Sequence, residues 1–188
     1  MKIVMIRHGQ TTGNLKGQYI GSRDETLCAE GIKAVQKCQY ERPQKLFCSP
    51  MKRCIQTAEI LFPGMEYQVC RELRECDFGI WEGKSYQELS ENQDYQHWID
   101  SNGTLPFPQG ESTQIFKERC CRAFEKLISD CVQTEYLGLV IHGGTIMAIL
   151  ERYAVPRKTF YEYQIKNAEA LLMQLDVQKM QITGVEKV

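Results

Sequence analysis

The sequence contains no long hydrophobic run. None of its apolar stretches approaches the roughly 20 residues that a helix needs to cross a bilayer. The apolar run ahead of Arg7 is also too short for a signal peptide. We therefore expect a cytoplasmic protein with no membrane partner.

An excess of charge of either sign is missing as well. The 188 residues include 23 Lys and Arg against 24 Asp and Glu, for a formal net charge of -1. This balance argues against a nucleic-acid partner, although it permits a local basic pocket. With 43% hydrophobic and 25% charged residues and no linker or repeat, residues 1–188 are predicted to form one globular domain.

The usual metal-binding patterns are absent. There are three histidines, no CxxC pair and no cluster of carboxylates suited to Mg²⁺. The nine cysteines are odd in number and scattered, which is typical of reduced cysteines that act as small hydrophobic residues. We expect no metal site and no cofactor.

Apolar stretches with strand character alternate with amphipathic helical ones. Strands are predicted at residues 2–6, 45–48, 65–70, 137–141, 170–175 and 180–183, and helices at 27–38, 51–61, 115–131 and 146–153. This alternation predicts a three-layer α/β fold, in which helices cover both faces of a mostly parallel sheet.

Polar side chains of catalytic types follow four of these strands. Arg7 and His8 end the first strand, Arg53 and Glu75 follow the second and third, and His142 follows the fourth. In parallel sheets ligands bind beyond the carboxyl ends of the strands, so these residues should converge on one crevice.

This constellation places up to four positive charges beside one carboxylate. Guanidinium groups match phosphate oxygens in a bidentate manner, and a helix start near Arg53, capped by Ser49 with Pro50 at its first position, would add backbone donors. The residues therefore indicate phosphoryl transfer without a metal.

A single histidine at a strand end is more often structural, and His97 is expected to be an exposed residue without a catalytic role. His8 and His142 are different because each follows a strand and adjoins glycine, which lets a ligand approach the backbone.

Residues 84–110 interrupt the pattern and are predicted to form an insertion, or cap, over the site. This segment contains four aromatic residues: Tyr86, Tyr95, Trp98 and Phe107. They are candidates to stack on a planar leaving group, and the alternative is that they only pack the insertion. The acids Glu72 and Glu82, outside the insertion, are expected to form surface ion pairs.

Five motifs resemble those of the histidine phosphatase superfamily, which includes cofactor-dependent phosphoglycerate mutases. In order along the chain they are RHGQTTGN (7–14), SPMKRCIQTA (49–58), LRECDFGIWEG (73–83), GES (110–112) and HGG (142–144). The resemblance covers nearly the whole chain and implies a phosphoglycerate mutase-like fold. One departure is Cys28, where relatives usually place a helix-capping Thr or Ser.

The resemblance also implies catalytic roles. His8 would be the nucleophile that forms a phosphohistidine, and Glu75 would protonate the leaving group and then activate water. Stabilisation of the transition state is implied for Arg7, Arg53 and His142. The phosphate pocket would be completed by Asn14, Gly21 and Gly143.

The same resemblance bears on the substrate, expected to be a small-molecule phosphomonoester. The mutases that the chain resembles are longer, with an extra insertion that closes the site, so the shorter chain favours hydrolysis. The run at residues 76–83 looks most like that of α-ribazole phosphatases of cobalamin synthesis. A broad-specificity phosphatase, a mutase and a non-catalytic phospho-ligand binding protein are the alternatives. The oligomeric state is left open.

Overall fold

A computed structural model describes all 188 residues. Its strands are β1 (Lys2–Arg7), β2 (Lys45–Cys48), β3 (Gln68–Val69), β4 (Tyr136–Ile141), β5 (Ala170–Asp176) and β6 (Gln181–Lys187). Its α-helices are α1 (Thr12–Leu15), α2 (Ala29–Gln36), α3 (Lys52–Leu61), α4 (Tyr86–Leu89), α5 (Gln93–Asp100), α6 (Thr113–Ser129) and α7 (Gly143–Tyr153).

The strands form one six-stranded sheet in the order β3-β2-β4-β1-β5-β6. The first four strands in this order are mutually parallel. On the other side of β1, β5 pairs antiparallel with β1, and β6 pairs antiparallel with β5. Arg7 pairs with Ile141, and Cys48 pairs with Val140, so β1, β2 and β4 end at the same edge. The predicted α/β fold with a mostly parallel sheet is confirmed.

Apolar side chains cover both faces of the sheet. Along β1, Ile3 and Met5 join the large cluster under α6 and α7, whereas Val4 and Ile6 join a smaller cluster under α3. Because successive strand residues point to opposite faces, this unbroken apolar run is what a strand covered on both sides requires.

Several predicted elements differ in extent from those observed; the helices predicted at 115–131 and 146–153, for example, are Thr113–Ser129 and Gly143–Tyr153. The strand at 65–70 is reduced to Gln68–Val69 at the sheet edge, because Met65 and Tyr67 pack against the smaller cluster without pairing to β2. The strand at 180–183 begins one residue later and extends to Lys187, because Met180 has a positive φ of 50° in the turn before it. The helix at 27–38 is Ala29–Gln36, and Cys28 still caps it: its sulfur accepts the Gly31 N–H at 3.3 Å.

The segment 84–110 contains α4 and α5 and packs mainly through aromatic rings. Trp98 stacks on Tyr95 with centroids 6.1 Å apart and lies 5.1 Å from Phe107, and all three also contact Trp81. Tyr86, by contrast, is 60% exposed. The rings therefore form a small core that joins this segment to α6 and α7. No helix of the protein has both the length and the apolar character of a membrane span.

Candidate active site

The ends of β1 and β4 bring two histidines together. His8 follows β1, and His142 follows β4 immediately before α7. Because these strands are adjacent and in register, the two imidazole rings lie 5.1 Å apart, edge to face at 67°. His142 is completely buried, and His8 is 3% exposed.

A cavity of about 330 Å³ opens beside His8. Its polar wall consists mainly of Arg7, His8, Asn14, Glu75, Gly143 and Gly144. The same cavity is also lined by seven aromatic residues: Tyr19, Phe78, Trp98, Phe107, Phe116, Phe160 and Tyr161. The site therefore offers both polar groups for an anion and apolar surface.

The His8 ring is held in one tautomer by its own loop. Its Nδ1 lies 2.7 Å from the Gly9 carbonyl oxygen, which can only accept a hydrogen bond, so Nδ1 carries the proton. Burial lowers the pKa of His8 well below its ordinary value, and the positive charges of Arg53 and Arg7 lower it further. His8 is therefore a neutral imidazole with a free lone pair on Nε2.

His142 is oriented by the end of β2. Its Nε2 lies 2.6 Å from the hydroxyl oxygen of Ser49, and the sulfur of Cys54 lies 3.6 Å from the same nitrogen. Burial and then the charge of Arg53 lower the pKa of His142 well below its ordinary value. The predicted helix cap at Ser49 was wrong: α3 begins at Lys52 after Met51, and Ser49 contacts His142 instead.

Two arginines lie close to the histidines, and the first of them, Arg7, is only partly buried. Arg7 donates from Nη1 to the Ile165 carbonyl at 2.6 Å, and burial lowers its pKa. Arg53 is completely buried, and donates to the carbonyl oxygens of Arg23 at 2.7 Å and Gly21 at 2.8 Å. The Nε of each arginine is buried without a hydrogen-bond partner in the protein. The Arg7 Nε belongs to a residue that lines the cavity and is therefore a donor suited to an anion, whereas neither Arg53 nor His142 lines the cavity.

Glu75 faces the cavity on a loop and is fixed by backbone donors. Its Oε1 accepts the Cys76 N–H and its Oε2 accepts the Gly144 N–H, both at 3.1 Å. Desolvation raises the pKa of this carboxyl, and the two N–H groups and the nearby arginines only partly oppose it. A Cβ at position 144 would lie 2.4 Å from Oε1, so a glycine is needed there.

Asn14 and Gly143, two residues predicted for the phosphate pocket, line the cavity that contains His8. The Asn14 Oδ1 accepts hydrogen bonds from the Thr11 N–H and the Asn167 Nδ2, both at 3.2 Å, so its amide nitrogen is the group left to donate. Gly143 begins α7, whose first N–H groups lack intrahelical partners, and a Cβ on it would lie 3.3 Å from the Arg7 guanidinium.

Gly21 is not brought to the cavity that contains His8. It lines a second cavity of about 330 Å³, which shares Glu75. Its N–H donates to the Glu82 carboxylate at 3.1 Å, as do the N–H groups of Ser22 and Phe78 at 2.7 and 3.1 Å. The predicted surface pair of Glu82 was therefore wrong.

Two other predictions concern the protein surface. Glu72 does pair at the surface, with Arg74 at 3.5 Å, and His97 is exposed.

Sequence reasoning missed two residues that hold the His8 loop. Asn167 donates to the His8 carbonyl at 3.1 Å as well as to Asn14. Thr57 accepts the Gly9 N–H at 3.0 Å and donates to the Arg53 carbonyl at 2.6 Å. Thr57 lies in the block 49–58 and could have been noticed, whereas no local pattern marks Asn167.

Groups of three or more His, Cys, Asp or Glu side chains arranged to hold a metal ion do not occur in the protein.

Comparison with known proteins identifies the family. Residues 3–187 match the model of the histidine phosphatase superfamily (branch 1). The chain belongs to this superfamily. The resemblance inferred from the five motifs is thereby confirmed, as is the prediction of a phosphatase at the level of the family.

Individual relatives agree with this assignment. The adenosylcobalamin/alpha-ribazole phosphatase of Salmonella typhimurium is 27% identical over 178 residues, covering 88% of this chain and 86% of the relative. The putative phosphoserine phosphatase 2 of Hydrogenobacter thermophilus is 30% identical over 159 residues, covering 79% and 76%.

A solved structure establishes the same fold. The crystal structure of a putative alpha-ribazole-5'-P phosphatase from Escherichia coli aligns over 100% of this chain and 95% of that one, with a TM-score of 0.88 and 22% identity.

Proposed function

We propose that the protein hydrolyses phosphomonoesters through a phosphohistidine at His8. The observation that carries this proposal is the state of His8: a neutral imidazole whose Nδ1–H is engaged by Gly9, which leaves the Nε2 lone pair free, on a cavity that Arg7 and Glu75 also line. An activated nucleophile needs a free lone pair and a positioned partner, and both are present.

In the first step Nε2 of His8 attacks phosphorus, and the ester P–O bond breaks. Glu75 donates its proton to the departing oxygen, a role that suits a carboxyl whose pKa is raised by burial. The unpaired Nε groups of Arg7 and Arg53, with the start of α7, stabilise charge on the phosphoryl oxygens.

In the second step the Glu75 carboxylate takes a proton from water, and the water oxygen attacks phosphorus. The N–P bond breaks and its electron pair returns to Nε2, which releases inorganic phosphate and restores both groups. His142 acts beside the same phosphoryl group, with its ring held by Ser49. Asn14 and Gly143 contribute donors, and we assign Gly21 a supporting role through its carbonyl contact with Arg53.

We further propose α-ribazole 5′-phosphate as the substrate, which would place the protein in cobalamin synthesis. The names of relatives support this choice, and so do the aromatic residues that line the cavity, which suit a planar base. A phosphoserine phosphatase is the second candidate, because a relative with that name is 30% identical. The nine free cysteines fit a cytoplasmic location.

A panel of phosphomonoesters tests the proposal. We expect hydrolysis in EDTA, inhibition by vanadate, and the highest kcat/KM for α-ribazole 5′-phosphate over phosphoserine, ribose 5-phosphate and 3-phosphoglycerate. Loss of activity on chelation, restored by Mg²⁺ or Zn²⁺, would contradict the metal-free mechanism. A kcat/KM for sugar phosphates equal to that for α-ribazole 5′-phosphate would contradict only the choice of substrate, and the proposed phosphatase activity would stand.

A further inference from the structure

A buried ion pair lies behind the loop that carries Glu75. Arg119 of α6 is 6% exposed, and its Nε and Nη2 donate to the two carboxylate oxygens of Glu111 at 2.8 and 2.7 Å. The Glu111 side chain is 12% exposed. Such a fork-to-fork pair fixes the plane of the guanidinium as well as its position.

The remaining donors of Arg119 all go to the backbone of the Glu75 loop. Nη1 donates to the carbonyl oxygens of Glu72 at 2.6 Å and Arg74 at 3.1 Å, and Nη2 donates to that of Glu75 at 3.3 Å. The Glu111 N–H donates to the Asp77 carbonyl at 2.9 Å. Residues 74–78 lie outside any helix or strand. Their backbone is therefore held by these hydrogen bonds and not by the regular hydrogen bonds of a helix or sheet.

The pair also keeps the electrostatics behind Glu75 balanced. Arg119 alone would place a full positive charge behind the loop, and Glu111 alone a buried negative one. Together they hold the loop backbone between Glu72 and Asp77 with little net charge. Burial raises the pKa of the Glu75 carboxyl, as proton donation requires, and the pair adds little net charge of its own behind it.

We propose that Arg119 and Glu111 are positioning residues that set the carboxyl of Glu75 for proton transfer. The proposal rests on the role of Glu75 given above. It makes a specific claim: disturbing the pair should impair the step that needs a proton and spare the step that does not.

The test compares two substrates with different leaving groups. Ribose 5-phosphate releases an alkoxide that needs protonation, and 4-nitrophenyl phosphate releases a stable phenolate. We expect Arg119→Lys and Glu111→Gln to lower kcat for ribose 5-phosphate by about tenfold or more, because small displacements of a catalytic group are costly. Phosphoenzyme formation from 4-nitrophenyl phosphate, measured in a rapid-quench burst, should change by less than about twofold.

The matched control is Arg122→Lys on the same helix. Arg122 is exposed and lies 4.0 Å from Glu118, with no contact to the Glu75 loop. Its kcat should be unchanged on both substrates. Circular dichroism and thermal unfolding identify any variant that fails to fold, and Glu111→Gln, which keeps the shape of the side chain, provides the second variant.

A double-variant cycle with Glu75→Gln separates the possible outcomes. If the pair acts through Glu75, adding Arg119→Lys to Glu75→Gln costs no further kcat on ribose 5-phosphate. Multiplicative losses, or equal losses of Arg119→Lys on both substrates, would overturn the positioning role. If Glu75→Gln itself shows no dependence on the leaving group, the proposed acid fails first, and the two failures are thereby distinguished.

Discussion

At the scale of single residues, the site depends on the protonation state of two side chains. Burial keeps His8 neutral, and desolvation raises the pKa of Glu75. These shifts run in opposite directions and suit a nucleophile and an acid respectively. Each can be tested by a substitution that preserves much of the surrounding packing.

His8→Ala should lower kcat by at least about 10³-fold, because no other side chain on the cavity offers a free imidazole lone pair. Steady-state kinetics, with trapping of the phosphoenzyme after acid quench, provides the measurement. The control is His97→Gln, which removes an exposed histidine outside the cavity. Turnover near that of the wild type in His8→Ala would rule out the covalent mechanism.

In phosphoenzyme formation, measured as a rapid-quench burst, Glu75→Gln should slow alkyl phosphates far more than 4-nitrophenyl phosphate, because only the alkoxide needs a proton. The same variant should remove a limb of the pH profile. As an acid, Glu75 acts when protonated, and its raised pKa moves the loss of alkyl phosphatase activity to higher pH than an ordinary carboxyl would give. Identical profiles in variant and wild type would assign the limb to another group.

The sequence reveals these residues because each ends a strand or lies in a recognisable motif. Arg7, His8 and His142 follow apolar runs that could only be buried strands, so their convergence follows from the parallel order. Asn167 could not be found in this way. Its contact with the His8 carbonyl joins residues 159 positions apart, and the local sequence contains no trace of that contact.

At the scale of elements, the aromatic residues of the segment 84–110 divide between the cavity, which Trp98 and Phe107 line, and the packing of the segment. Tyr95 does not line the cavity, and its hydroxyl lies 2.9 Å from that of Tyr19. Trp98 does line it but is only 8% exposed, with its ring packed on Tyr95 and Phe107. Replacing either residue would mix lost packing with lost substrate contact.

The cleaner probe of substrate stacking is Tyr161, on the 3₁₀ turn Phe160–Tyr163. It lines the cavity and is 52% exposed. Tyr161→Ala should lower kcat/KM for α-ribazole 5′-phosphate, with a loss of transition-state stabilisation of about 1–3 kcal/mol, using base–aromatic stacking as a guide. The kcat/KM for ribose 5-phosphate should be nearly unaffected. Tyr86→Ala, 60% exposed and outside the cavity, is the control. Equal losses on both substrates would show that Tyr161 does not stack on the base.

Element boundaries were predicted where the apolar pattern is strong and missed where tertiary contacts decide. The strand β4 is buried along its whole length and was predicted to within one residue. Ser49 and Glu82 illustrate the opposite case. Their local sequences predict a helix cap and a surface acid. In the structure, the Ser49 hydroxyl instead contacts His142, and the Glu82 carboxylate accepts the Gly21 N–H. Such roles depend on partners that are distant along the chain.

At the scale of the whole molecule, the buried histidines tie folding stability to pH. His8 and His142 are neutral in the folded protein, and burial is the main cause of both lowered pKa values. Below the ordinary histidine pKa of about 6.5, the unfolded chain binds protons at both positions that the folded chain does not. Stability should therefore fall as pH falls through this range, because the unfolded state then binds more protons.

Urea unfolding at pH 7.5, 6.5 and 5.5 measures this dependence. Below pH 6.5 the two histidines together should reduce the free energy of unfolding by up to about 2.7 kcal/mol per pH unit. Glu75 opposes this trend, because a carboxyl with a raised folded pKa stabilises the protein more as pH falls. Measured in the Glu75→Gln background, His8→Asn should flatten the slope by about half, since one of the two groups is gone. His97→Gln serves as the matched control, and equal flattening in that variant would show that the slope does not come from the buried pair.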